Sequence, residues 1–224
     1  MTTKQEDHFM SHLESGETSV QYHCSTTKPN IFLIGDSIRI GYCKTVKRIM
    51  ADTAEVFFPD DNCRSSQFAI CSMKQWAGAL SDPAAVDLVQ FNCGHWDTAH
   101  WDRSEEPLTS PSEYERNIGM ILRSLRIYFP NARIVFATTT PVNPNEELAK
   151  NRNPRDNETI DRYNAIAVRI AKEHGIAVND LNAFTRAWDS DCFKDHCHFV
   201  PEACERLGEE VARRLTELLP KREG

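Results

Sequence analysis

A serine acting as a nucleophile needs a base within reach and a place where negative charge can be received. Ser37 closes the stretch IFLIGDS, in which the apolar run Ile31, Phe32, Leu33 and Ile34 stops at Gly35 and Asp36 before a long periodic segment. The run reads as a strand buried on both faces and the segment after it as a helix, so Ser37 falls in a strand-to-helix turn. In an open parallel sheet the carboxyl ends of the strands form the ligand crevice, and free N–H groups at a helix start stabilise developing negative charge. A serine in such a turn also serves as an ordinary helix cap. Chemistry therefore depends on a base elsewhere in the chain.

The stretch DSDCFKDHCHFVPEA offers one, with Asp195 and His198 three residues apart. On a single turn this spacing brings a carboxylate against one imidazole nitrogen, fixing the tautomer that leaves the other nitrogen free to take a proton. A solvated ion pair, or a capping Asp beside an incidental His, has the same spelling. Cys192, His196, Cys197 and His198 are also possible zinc ligands. Adjacent residues point apart, however, and no second cluster completes a tetrahedral set, so no metal is expected.

The elements that must position these groups follow from periodicity. Ile38 to Met50 reads as a helix, Ala54 to Phe58 as a second strand ended by Pro59, and residues 66 to 80 as a second helix before the break at Asp82-Pro83. Val86 to Phe91 is a third strand running into NCGHWDTAHW, a loop dense in His and Trp at another strand's carboxyl end. Ser110, Pro111 and Glu113 combine an N-cap, a first-turn proline and the capping-box spacing. A fourth strand at Arg133 to Ala137 leads through TTTP into a Pro- and Asn-rich loop that can serve as a rim or lid, then into a helix from about Glu158 stopped by Gly175. A brief fifth strand at Ile176 to Val178 and a closing helix from Pro201 to Leu219 complete the pattern. Five strands alternating with helices predict a three-layer α/β/α sandwich around a parallel sheet, flavodoxin-like but without GxGxxG or a Walker lysine loop.

The chain of 224 residues suits one domain, expected from residue 29 to 224 behind a polar leader over residues 1 to 28. Its net charge of −7, without a basic cluster, argues against nucleic acid as a partner. No secretory signal and no stretch of membrane-span length is visible, so a cytoplasmic protein off the membrane is the expectation, with its eight cysteines mostly free thiols.

The blocks FLIGDSI, NCRSS, GHWD and DHCHF, in that order, resemble those of the SGNH or GDSL-type hydrolases, serine esterases and acyl hydrolases with a flavodoxin-like α/β/α fold. The resemblance covers the chain from about Asn30 onward and implies Ser37 as nucleophile, His198 as base and Asp195 as its partner. It also implies an oxyanion hole made by the N–H of Ser37, an N–H from the second block and an Asn side chain from the third. NCRSS is similar to a block of carbohydrate acetylesterases in the family, with Cys63 where glycine is usual. GHWD carries Trp96 where the asparagine would stand, so Asn92 is the expected substitute and Asn62 the second choice. Removing one oxyanion donor typically costs a few kcal/mol of barrier, so an active enzyme needs such a replacement.

The resemblance implies hydrolysis of an ester through an acyl-serine, without metal or organic cofactor. Asp36, Arg64, His95, Trp96 and Trp101 are the candidate substrate contacts, the tryptophans offering aromatic faces to a sugar and Arg64 a polar group. No long apolar groove for a fatty chain is evident, which favours short acyl esters, acetyl groups on a carbohydrate foremost. An acyltransferase of the same fold, and a non-catalytic carbohydrate-binding or scaffold protein with a weakened oxyanion hole, are the rival readings.

Overall fold

The computed structural model describes residues 20–145 and 150–220. The described residues form one five-stranded sheet, all parallel, in the order β2-β1-β3-β4-β5. Its strands are β1 (Asn30–Ile34), β2 (Glu55–Phe57), β3 (Leu88–Phe91), β4 (Arg133–Ala137) and β5 (Ala177–Asn179). The helices are α1 (Ser37–Ile49), α2 (Ser66–Gly78), α3 (Pro111–Tyr128), α4 (Asn157–Glu173), the short α5 (Leu181–Thr185) and α6 (Pro201–Leu218).

Alternation along β1 divides the interior in two. Ile31 and Leu33 pack among Val46 of α1 and Leu207, Val211 and Leu215 of α6. Phe32 and Ile34 face the other way, among Met73 of α2, Ile118 and Leu122 of α3, and Tyr163 of α4. A strand covered by helices on both faces is apolar nearly throughout, and all five residues of β1 are buried, the polar Asn30 at its start donating to the Ser25 and Ala85 carbonyls. These are the three layers that the sequence predicts.

Most helix ends match their signals. Ser110 and Glu113 form the reciprocal capping box with Pro111 in the first turn, and Asp156 caps α4 by accepting from Thr159 N–H at 2.8 Å. Gly175 takes φ +66 just past α4, a left-handed conformation in which a β-carbon would be strained. Some boundaries shift. The chain at Val86 and Asp87 precedes β3 as irregular backbone after a short 3₁₀ turn at Pro83–Ala85, and α5 interrupts what the sequence presents as a continuous loop after the fifth strand.

Residues 20–28 belong to the folded body. Tyr22 O–H donates to the Phe58 carbonyl at 2.9 Å, and its main chain pairs with Ala79 and Ser81 at the end of α2. The boundary expected after residue 28 therefore falls too late; residues 1–19 of that leader lie outside the described residues. Among the described residues no helix is long and apolar enough to cross a membrane.

Candidate active site

Asp36 caps α1, its Oδ1 accepting Ile38 N–H at 3.0 Å, and this turn sets Ser37 as the first helical residue. At that position its N–H has no main-chain acceptor, because a helix leaves its first donors unpaired. Ser37 Oγ lies 2.7 Å from His198 Nε2. On the far side of the ring, His198 Nδ1 lies 3.0 and 2.9 Å from the two Asp195 oxygens. A carboxylate on Nδ1 fixes the proton there, which leaves Nε2 to accept from the serine hydroxyl.

The turn carrying the base is anchored on both sides. Phe193 and Phe199 pair across it and pack in the α1/α6 half of the core, with Phe199 also edge-on to Trp188 at 5.2 Å. Cys197 packs against Val142 and Ile160. Asp195 Oδ1 accepts the N–H of Cys197 at 3.0 Å and of His198 at 2.9 Å. Burial pushes the Asp195 carboxyl up, but these N–H groups and the His198 ring outweigh it and hold it below its ordinary value. His198 is raised to about 9, first by the Cys197 sulfur 3.8 Å from Nδ1 and then by Asp195, against the opposing pull of burial. Ligating atoms of Asp195, Cys197 and His198 lie within 4.8 Å of one another, but Nδ1 faces Asp195 and serves the triad.

Asn92 extends the β3 ladder, donating its N–H to the Ile34 carbonyl at 3.0 Å. Its side chain is thereby laid over Gly35, where an added β-carbon would stand 2.0 Å from Asn92 Oδ1. Only glycine permits that approach. The amide thus sits over the turn that presents Ser37, and it helps to hold Asp36 down against the burial that raises it.

Cys63 does not take the part expected of it. Its N–H donates to the Gly35 carbonyl at 3.1 Å and so is unavailable to an oxyanion. The left-handed residue of the block is Arg64, at φ 46, not Cys63. Arg64 N–H donates to Asn62 Oδ1 at 2.9 Å, which fixes the side chain of the second-choice asparagine through its oxygen. The Arg64 guanidinium lies over the Phe68 ring, 4.5 Å from its centroid, at the surface.

Trp96 and Trp101 stack with centroids 5.0 Å apart, Trp101 being exposed. His95 is buried, with Nε2 3.1 Å from Thr140 Oγ1. Burial first, then Arg155, His198 and His196, keep it far below its ordinary value, so it stays neutral.

Three residues escape the sequence reading. Arg39 is buried beneath the turn and donates to the carbonyls of Gly35, Pro59 (3.0 Å) and Asp61 (2.5 Å), clamping the loop after β2 to the serine turn. A cation on the inward face of α1, four residues past Gly35, was the available signal. Asp97, the last residue of GHWD, accepts Ser66 N–H at 3.0 Å and Ser66 O–H at 2.5 Å, tying the loop after β3 to the start of α2. Burial lifts Asp97 to about 6 despite Ser66 and Thr109. Arg155 reaches the same end of the sheet from the loop before α4, and no motif marks it.

A serine, an imidazole and a carboxylate in hydrogen-bonded series, at the carboxyl edge of a parallel sheet, define a serine-hydrolase arrangement. The sequence agrees with the geometry, for the chain belongs to the GDSL-like lipase/acylhydrolase family, which it matches over residues 33–206. It is 32% identical over 114 residues to the GDSL esterase/lipase WDL1 of Oryza sativa subsp. japonica, a match covering 47% of this chain and 44% of that protein. The chain spans about half the length of the curated relatives it matches. Among solved structures, a lipase/acylhydrolase from Enterococcus faecalis superimposes with a TM-score of 0.65 at 19% identity, covering 88% of this chain and all of that one (100%). Est24, a carbohydrate acetylesterase from Sinorhizobium meliloti, superimposes with a TM-score of 0.63 at 14% identity, covering 86% and 100%. At such identities these two report a shared fold.

Proposed function

We propose that this protein hydrolyses short-chain acyl esters, O-acetyl groups on carbohydrates foremost, through an acyl-Ser37 intermediate. The observation that carries this reading is the 2.7 Å approach of Ser37 Oγ to a His198 ring already bound through Nδ1 to Asp195. His198 Nε2 takes the hydroxyl proton as Oγ attacks the ester carbonyl. The oxyanion is received by Ser37 N–H and the Asn92 amide, and His198 returns the proton to the departing alcohol. Water then attacks the acyl-serine with His198 again as base, releasing the acid and restoring Ser37.

The stacked Trp96 and Trp101, the latter exposed beside the crevice loop, support a sugar as the alcohol part. The likeness in fold to a carbohydrate acetylesterase is consistent with that class. Turnover of 4-nitrophenyl acetate, compared with octanoate and palmitate esters, tests the reading. Wild-type protein should release nitrophenol fastest from the acetate, and Ser37→Ala should fall to the buffer rate. Equal rates for wild type and Ser37→Ala would remove the triad assignment.

A further inference from the structure

Beside the triad lies a group of buried polar atoms that the acyl-transfer steps do not use. His95 and His196 are 1% and 4% exposed, and His95 Nδ1 and both His196 ring nitrogens have no hydrogen-bond partner. Asp36 Oδ2, Asn92 Oδ1 and Arg155 Nε are likewise buried and unpartnered. Native interiors rarely leave such atoms unpaired, and five residues doing so in one place points to a polar group that belongs between them.

The five come from four segments, namely the β1–α1 turn, the loop after β3, the loop before α4 and the turn of the base. The charge of Arg155 acts on Asp36, His95 and His196, and His198 acts on both of the other histidines, which sets the group around the catalytic ring. Both imidazoles are held neutral, chiefly by burial, His196 lowered to about 4. Arg155 is thus the cation that acts on this group of buried atoms, and it forms no ion pair among the described residues; its Nη2 reaches only the Asn153 carbonyl at 3.4 Å.

The Arg155 segment is held firmly. His100 N–H donates to the Pro154 carbonyl at 2.9 Å, Asp102 N–H to Asn153 Oδ1 at 2.9 Å, and Arg152 Nε pairs with Asp102 at 2.5 Å. The loop before α4 is in this way laced to the tryptophan loop, and the guanidinium is positioned before substrate arrives. A guanidinium edge with a free Nε–H is the planar fork that matches a carboxylate.

We propose that Arg155, flanked by His95 and His196, forms a carboxylate-binding subsite next to Ser37, so that the preferred esters carry an anionic group beside the acyl group, as an O-acetylated acidic sugar does. This rests on the reading of Ser37 as nucleophile. His95 and His196 hydrogen-bond the sugar's oxygens, and Arg155 sets which end of the substrate faces the serine.

Two measurements test it. In kinetics, O-acetyl glucuronate should exceed O-acetyl glucose in kcat/KM by roughly tenfold to a hundredfold, mostly through KM, as expected for a bidentate charge-assisted pair. In Arg155→Gln the ratio should collapse to near one, and Arg155→Lys should fall between, since it keeps the charge without the fork. Equal rates for the two esters in wild type, or an unchanged ratio in Arg155→Gln, would overturn the subsite. In calorimetry with Ser37→Ala protein, glucuronate should bind and glucose should bind at least tenfold more weakly. Glucuronate binding without turnover of any ester by wild type would sink the esterase reading and leave the subsite. Turnover of neutral esters with neither preference nor glucuronate binding would sink the subsite alone.

Discussion

His198 carries the largest consequence of any single side chain. Its proton affinity is raised to about 9, first by the Cys197 sulfur and then by Asp195, so at neutral pH the ring is mostly protonated and cannot act as a base. kcat/KM for 4-nitrophenyl acetate should therefore rise with pH and level off above about 9, and Cys197→Ala should move the midpoint down toward the ordinary imidazole value. A profile already flat from pH 7, or one unmoved by Cys197→Ala, would contradict this. The same shift acts on stability with the opposite sign. A group whose folded value is raised contributes stability that is fully present below about 6.5 and lost as pH rises through about 9. Asn92 supplies the other test at one position. Asn92→Ala should lower kcat roughly a hundredfold to a thousandfold with KM little changed, since an oxyanion donor works mainly in the transition state. An unchanged kcat would leave the oxyanion to main-chain donors.

The β1–α1 turn shows how an element makes these side chains useful. A parallel sheet sends every strand's carboxyl end to the same edge, and the turn there must be tight enough to start α1 with Ser37 at its tip. Gly35 allows the Asn92 amide to lie directly over the turn, and Arg39 holds the turn from beneath through three carbonyls. Gly35→Ala would place a β-carbon 2.0 Å from Asn92 Oδ1 and 2.7 Å from Arg39 Cβ, so both supports must move. Its kcat should fall at least about tenfold, and its Tm should drop by several degrees, consistent with an overpacking cost of about 1–3 kcal/mol. A folded Gly35→Ala protein with full kcat would mean that the amide's position does not matter to the reaction.

Across the whole molecule, the site depends on closing a long separation, since Ser37 and His198 are 161 residues apart in sequence. β1 and α1 bring the serine, while α6 and the aromatic cluster of Trp188, Phe193 and Phe199 bring the base, and α1 packs on α6 in the same half of the core. The site therefore has no local unit that can survive on its own. In urea, loss of esterase activity should coincide with loss of helical circular dichroism in one transition. Activity vanishing at clearly lower urea would show that the His198 turn opens apart from the core.

The alternation of apolar runs with periodic helices was enough to determine the layers and the order of elements, while Ser37, Asp195 and His198 were singled out as a set by the resemblance of four sequence blocks to a hydrolase family. Layers and helix ends are local properties, because burial on both faces demands a mostly apolar strand and a cap demands a particular residue at a particular place. Which donors remain free was decided only by tertiary structure. Cys63 has a suitable N–H in the written sequence, yet packing commits it to the Gly35 carbonyl. Asp97 and Arg39 likewise acquire partners only when distant loops meet. A hydrogen bond depends on distance and direction between groups, and sequence spacing specifies those only within one turn or one strand.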